Sequence, residues 1–91
     1  MAGDQSPADR AAGLMAPDRT LDASGLTCPL PVLKARKLLT GMHPGEVLEV
    51  VTTDPMSVVD MPVFCAQAGH IIVREEREGS RFVFAIERGP R

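Results

Sequence analysis

The sequence predicts a two-layer α/β (α+β) sandwich in the order β-α-β-α-β-β, a four-stranded mixed sheet with two helices on one face. Three observations point there. Glu46 to Thr53, EVLEVVTT, is a valine-rich, β-branched run of strand length. Residues 29–41 carry apolar side chains at helical spacing, with prolines at the start and Gly41 at the end. Residues 71–88 form two strand-like runs around Glu78-Gly79-Ser80, a hairpin signal.

Length and composition narrow the function classes. At 91 residues the chain is at most one domain. The formal charge of −2 gives no electrostatic basis for nucleic-acid binding as the main activity. With three Phe and neither Trp nor Tyr, the core must be aliphatic. Two cysteines are too few for a disulfide scaffold. No apolar leader and no run of membrane-spanning length is present, so a cytoplasmic protein with reduced thiols, off the membrane, is expected.

Residues 1–19 mix Ala, Asp, Gly, Pro and Arg, and can bury little. They are expected to form a disordered tail, followed by a domain at 20–88 and a frayed end at 89–91. Thr20 to Ser24 reads as a first strand with Leu21 inward and Asp22 outward, ended by Gly25. On the first helix, Val32, Ala35, Leu38, Leu39 and Met42 share the core face. Lys34, Arg36 and Lys37 lie opposite, and Leu30 and Leu33 also fall on that outer side. Gly41 suits C′ and Pro44 forbids continuation. The strand at 46–53 follows a helix, so the first two strands should be parallel. Asp54 can cap and Pro55 can sit at N1 of a second helical segment to Ala68, with Val58, Val59, Pro62, Cys65, Ala66 and Gly69 on one face. Pro62 is awkward there, and the preferred reading is a turn at 55–59 before a helix capped by Asp60. Phe82, Phe84 and Ile86 mark the inner face of the last strand; for the preceding one, Ile71/Val73 and Ile72 are both admissible.

The most distinctive stretch is Gly25-Leu26-Thr27-Cys28-Pro29-Leu30-Pro31. Pro29 suits N1 of a helix and pushes its predecessor out of helical geometry, so Cys28 is the expected N-cap, with Leu30 at N2 and Pro31 at N3. The Leu30 N–H would then reach the sulfur, and with the helix dipole favour the thiolate over an ordinary cysteine near 8.5. The plainer alternative is a small apolar residue in a stiff turn. Cys65 falls on an apolar stripe and is expected to be buried and structural. His43 and His70 have no paired metal-ligand spacing with the cysteines, and no phosphate-binding loop occurs.

Cys28-Pro29-Leu30-Pro31 resembles the CPxP motif of the TusA-like (SirA-like) sulfur-carrier family. Leu21-Asp22 and Gly25-Leu26 before it extend the likeness, as do Asp54-Pro55, Asp60 with Pro62, Phe64-Cys65 and Gly69-His70 after it, covering roughly residues 20–88. The resemblance implies the same β-α-β-α-β-β sandwich. It also implies a sulfurtransferase that relays sulfur stoichiometrically, with Cys28 as the catalytic residue holding sulfane sulfur as a persulfide, and Pro29, Leu30 and Pro31 positioning it. No cofactor is needed, because the sulfur rides covalently. Two protein partners are expected: a sulfur donor of cysteine-desulfurase or rhodanese type, and an acceptor. tRNA thiolation, molybdenum-cofactor assembly and sulfur oxidation are all open as end pathways, and selenium delivery is a variant of the same chemistry. A monomer is expected. Leu30 and Leu33, bordered by Lys34 and Lys37, form a candidate docking patch beside the cysteine. Two other classes compete: a non-catalytic interaction or regulatory module, and a dithiol redox protein using Cys28 and Cys65.

Overall fold

A computed structural model describes residues 16–90. Its elements are β1 (Arg19–Ala23), α1 (Leu30–Thr40), β2 (Val47–Thr52), α2 (Ser57–Ala68), β3 (Ile71–Glu78) and β4 (Arg81–Glu87). The sheet order is β1-β2-β4-β3. β1 and β2 are parallel, as a strand–helix–strand crossover requires, and the other pairings are antiparallel. Two helices on a four-stranded mixed sheet make the predicted sandwich.

Side-chain alternation sorts the sheet residues. Leu48 lies opposite Ile86 and Val50 opposite Phe84, and this face packs against Ala35 and Leu39 of α1 and Met61 and Cys65 of α2. The core face of α1 is as its spacing predicts, with Val32 and Leu38 half-buried at its edges. Pro31 is also fully buried, anchoring the start of the helix.

The second helix differs from expectation. It is continuous from Ser57, and Pro62 lies inside it. Bonds from Ser57 N–H to Asp54 O (2.9 Å), Val59 N–H to Met56 O (3.0 Å) and Asp60 N–H to Met56 O (2.8 Å) carry the turn directly into the helix. The proline removes only the bond that Val58 would have accepted. The buried face is Ser57, Met61 and Cys65, not the stripe through Val58 and Val59, which are exposed. Starting the helix three residues before Asp60 sets that phase.

β3 faces the core through Ile72, while Ile71 and Val73 are exposed. A bulge between Ile72 and Arg74 makes Val73 the extra residue and reverses the side-chain parity. Arg74 therefore emerges on the helix-free face, opposite Ala85, and reaches Glu49 at 3.0 Å. That ion pair lies over a row of small apolar residues, with Val51, Val83 and Ala85 buried there.

The folded unit extends slightly past its expected ends. Asp18 donates its N–H to Val47 O (2.9 Å) and accepts from Val47 N–H (2.8 Å), so pairing begins before residue 20. Residues 1–15, the greater part of the expected tail, lie outside the described residues. Gly89, expected to fray, is buried and donates its N–H to His70 Nδ1 at 2.9 Å. An added Cβ at 89 would stand 1.8 Å from the Gly69 carbonyl oxygen, so only glycine permits this approach. Arg88 donates from Nε to Leu39 O (3.0 Å), placing a cation at the C-terminal end of α1. Among the described residues no helix is long and apolar enough to cross a membrane.

His70 generates a prediction. Burial, and then the charge of Arg88, hold its pKa below the ordinary histidine value. Below about pH 6.5 the unfolded chain therefore binds a proton at this site that the folded chain resists, so stability falls as pH drops through that window. Thermal melts at pH 7.5 and 5.5 should show a loss that is smaller in His70→Gln; an identical pH dependence in the variant would remove His70 as its source.

Candidate functional site

The C-terminal ends of the parallel strands β1 and β2 open into two loops, and these hold each other. The Gly25 N–H donates to Thr53 Oγ1 at 2.9 Å. The Cys28 N–H donates to Asp54 Oδ2 at 2.6 Å, a short charge-assisted bond. The other oxygen of Asp54 accepts the Met56 N–H at 3.1 Å, an Asx turn that leads into α2. Behind the loop, Thr52 Oγ1 bonds Ser57 Oγ at 2.9 Å in a buried pair, tying the end of β2 to the start of α2.

Cys28 is exposed at the mouth of an open cleft of about 310 Å³ between the helices. Pro29, Val32, Val63 and Phe64 make its walls apolar, Asp60 shares the mouth with the sulfur, and Arg36 and Gln67 also line it.

The cap geometry differs from the sequence reading. Pro29, not Cys28, is the N-cap, and the helix begins at Leu30. The Leu30 N–H is taken by Thr27 O at 2.8 Å, so it does not serve the sulfur. The first helical bond runs from Leu33 N–H to Pro29 O at 3.1 Å. The expected depression of the thiol pKa fails with it. Asp60 accepts the thiol proton, partial desolvation adds to this, and the charges of Asp60 and Asp54 follow, so Cys28 is held above the ordinary thiol value.

The remaining residues singled out by sequence separate clearly. Leu30 and Leu33 are 43% and 48% exposed, on the outer side of α1. Lys34 and Lys37 are exposed on the same helix, lining a second shallow groove with Leu21 and Leu38. Cys65 is 2% exposed, and burial pushes its thiol up to about 11. His70 is engaged with Gly89 and stacks at a tilt against Phe64, and His43 is exposed in the α1–β2 loop beside Glu46. Among the described residues no three His, Cys, Asp or Glu side chains converge as a metal set.

The sequence reading missed that Asp54 and Asp60 flank the sulfur. A signal was present: both follow the second parallel strand, whose C-terminal end must lie beside that of the first. It also missed the exposed apolar run of Val59 and Val63 on α2 with Met56 at its N-cap, because a helix start at Ser57 turns a different face inward.

Comparison with known proteins places these features. The family model described as Sulfurtransferase TusA matches residues 19–88. The Sulfur carrier protein TusA of Allochromatium vinosum is 48% identical over 71 residues, covering 78% of this chain and 93% of that protein. The crystal structure of a SirA-like protein from Desulfitobacterium hafniense superposes with a TM-score of 0.69 at 26% identity, covering 78% of this chain and 97% of the other. A match through every strand and both helices, at this identity, shows that the chain belongs to the TusA family of sulfur-carrier sulfurtransferases.

Proposed function

We propose that Cys28 accepts sulfane sulfur from a donor protein as a persulfide and passes it to an acceptor protein. The observation that carries this reading is the contrast between the two thiols: Cys28 stands exposed at the mouth of the cleft, its backbone pinned to Asp54, while Cys65 is sealed in the core. A carrier must offer its sulfur to two proteins in turn. A rigid, open loop-to-helix junction does so, whereas a deep pocket would exclude them. Burial and a thiol near 11 leave Cys65 unfit as a redox partner, which weighs against a dithiol mechanism. The sulfur is held covalently, so the relay needs no further cofactor.

Docking is assigned in this reading to the outer face of α1. Leu30 and Leu33 supply apolar anchors within a turn of the cysteine. Lys34 and Lys37 steer an acidic partner and act mainly on the association rate. Donor and acceptor then share one surface and bind in turn.

Three expected outcomes follow from this assignment. Incubation with a cysteine desulfurase and cysteine should add one sulfur to the intact mass, on the Cys28 peptide alone. Cys28→Ser should abolish that gain, and Cys65→Ala should keep it while costing about 1–2 kcal/mol of stability through lost packing. Sulfur found on Cys65, or loading of Cys28→Ser, would refute the assignment. In a pH series, alkylation of Cys28 should rise through a midpoint above that of an unperturbed thiol, since the raised pKa leaves less thiolate at neutrality; a midpoint at or below 8.5 would show that the carboxylates do not govern the sulfur. Leu33→Asp with Lys37→Glu should slow loading from the protein donor about tenfold or more, yet leave reaction with a small persulfide unchanged; wild-type loading from the donor would place docking on another face.

A further inference from the structure

The relay described above gives Asp60 no task, although its carboxylate lines the mouth of the same cleft as the thiol and raises the thiol's pKa. The two acids at the mouth are engaged differently. Asp54 spends both oxygens on backbone N–H groups, those of Cys28 and Met56. Asp60 is half-buried on the first turn of α2. Its own N–H is fixed to Met56 O, but among the described residues neither a backbone N–H nor a cation within salt-bridge distance engages its carboxylate. Arg36 lines the same cleft without pairing with it. The Asp60 carboxylate is thus left uncommitted beside the Cys28 sulfhydryl, both lining one apolar-walled cleft.

We infer that Asp60 is a catalytic proton carrier: it takes the Cys28 thiol proton as sulfur is loaded and returns a proton to Sγ as sulfur leaves. The inference rests on the proposal that Cys28 is the sulfur-bearing residue. In loading, a lone pair on Sγ forms the bond to the outer sulfur of the donor persulfide. The donor's S–S bond breaks, and its inner sulfur departs with the bonding pair. The Sγ proton moves to an Asp60 oxygen and from there to the departing thiolate. A thiol and a persulfide enter, a persulfide and a thiol leave, and no external oxidant or reductant is required. In unloading, the acceptor thiol attacks the outer sulfur and gives its proton to Asp60, while Sγ leaves with the bonding pair and receives a proton from Asp60. Between Asp54 and Asp60 a free thiolate is disfavoured, so the proton must move with the sulfur rather than before it.

The test sets two reactions of the same sulfur against each other. In Asp60→Asn, alkylation by iodoacetamide at pH 7 should be faster than in wild type, because a carboxylate that opposes the thiolate is gone. Loading from glutathione persulfide should instead be slower by at least about tenfold, the lower end of what a positioned acid–base group supplies after the gain in thiolate is set against it. In Asp60→Ala, added acetate should restore part of the loading rate without raising alkylation. Loading that speeds up in step with alkylation, or no rescue by acetate, would reduce Asp60 to a fixed charge and overturn the inference. Should both variants fail to fold, wild-type loading in deuterated water decides: a rate ratio of roughly two or more supports a proton in flight, and a ratio near one overturns it. Peptide mapping keeps the two readings apart. Wild-type protein that loads no sulfur on Cys28 sinks the persulfide proposal, whereas wild-type loading on Cys28 with an unchanged Asp60→Asn rate sinks only the role of Asp60.

Discussion

The bond from the Cys28 N–H to Asp54 Oδ2 is the constraint on which the functional end of the molecule depends. One carboxylate ties the loop after β1 to the loop after β2 and shapes the turn that starts α2. The buried Thr52–Ser57 hydroxyl pair and the Gly25–Thr53 bond reinforce the same junction. Without it the two helix starts would be joined only through the core beneath them. With it the cysteine backbone, the start of α2 and the Asp60 carboxylate hold one fixed relation, and the cleft has a defined mouth. A bond to a charged acceptor is also shorter and stronger than one to a neutral acceptor, so it holds the loop geometry more firmly.

The same arrangement sets the electrostatics of the sulfur. A carboxylate that pins a backbone N–H cannot avoid projecting negative charge on the side chain it carries, and Asp60 adds a second charge from α2. The thiol form of the sulfur is therefore favoured over the thiolate. The helix start could have opposed this, but the Thr27 carbonyl occupies the nearest amide, that of Leu30. An exposed thiolate would react with any passing electrophile or disulfide. A protonated sulfur in an open cleft is protected by chemistry rather than by burial, which suits the proposed relay, in which the group stays accessible to a donor and an acceptor protein.

Much of the fold was legible in the sequence because period and punctuation agreed. β2 alternates a core set, Leu48 and Val50, with outward residues. α1 carries an unbroken stripe from Val32 to Met42, and the Gly79-Ser80 turn joins β3 to β4 as its residues demand. The failures were local and share a cause: each depended on which of several partners a backbone group would choose. Asp60 and Pro62 together resemble a helix start, yet the Asp54 turn had already nucleated the helix three residues earlier. Cys28 resembled an N-cap, yet Thr27 captured the amide that would have made it one. The bulge at Val73 reverses the face of every later residue of β3, and no proline or glycine marks it. At the site the cysteine was legible from its prolines. Its two acidic neighbours were not, because Asp54 approaches from a loop 26 residues away and Asp60 from the helix after it, and only the parallel pairing of β1 and β2 brings them in.

The phase of α2 also bears on how a partner meets the cleft. With Ser57, Met61 and Cys65 turned inward, Val59 and Val63 are left 55% and 49% exposed, and Val63 lines the cleft with Cys28. Apolar surface therefore borders the sulfur's cleft from both helices: Pro29 and Val32 at the start of α1, Val63 and Phe64 on α2. The charges are divided differently, with lysines on the outer side of α1 and the two carboxylates at the mouth. A protein seated across both helices would bury the apolar flanks together and remove water from around Asp54 and Asp60. Desolvation strengthens each interaction left inside: the S–H to carboxylate bond, the repulsion of any anion on Sγ, and any positive charge the partner presents there. On the proposed relay, docking and proton movement would then be coupled, because the same contact that aligns the incoming sulfur would make a free thiolate still less accessible and a proton carried by Asp60 more necessary.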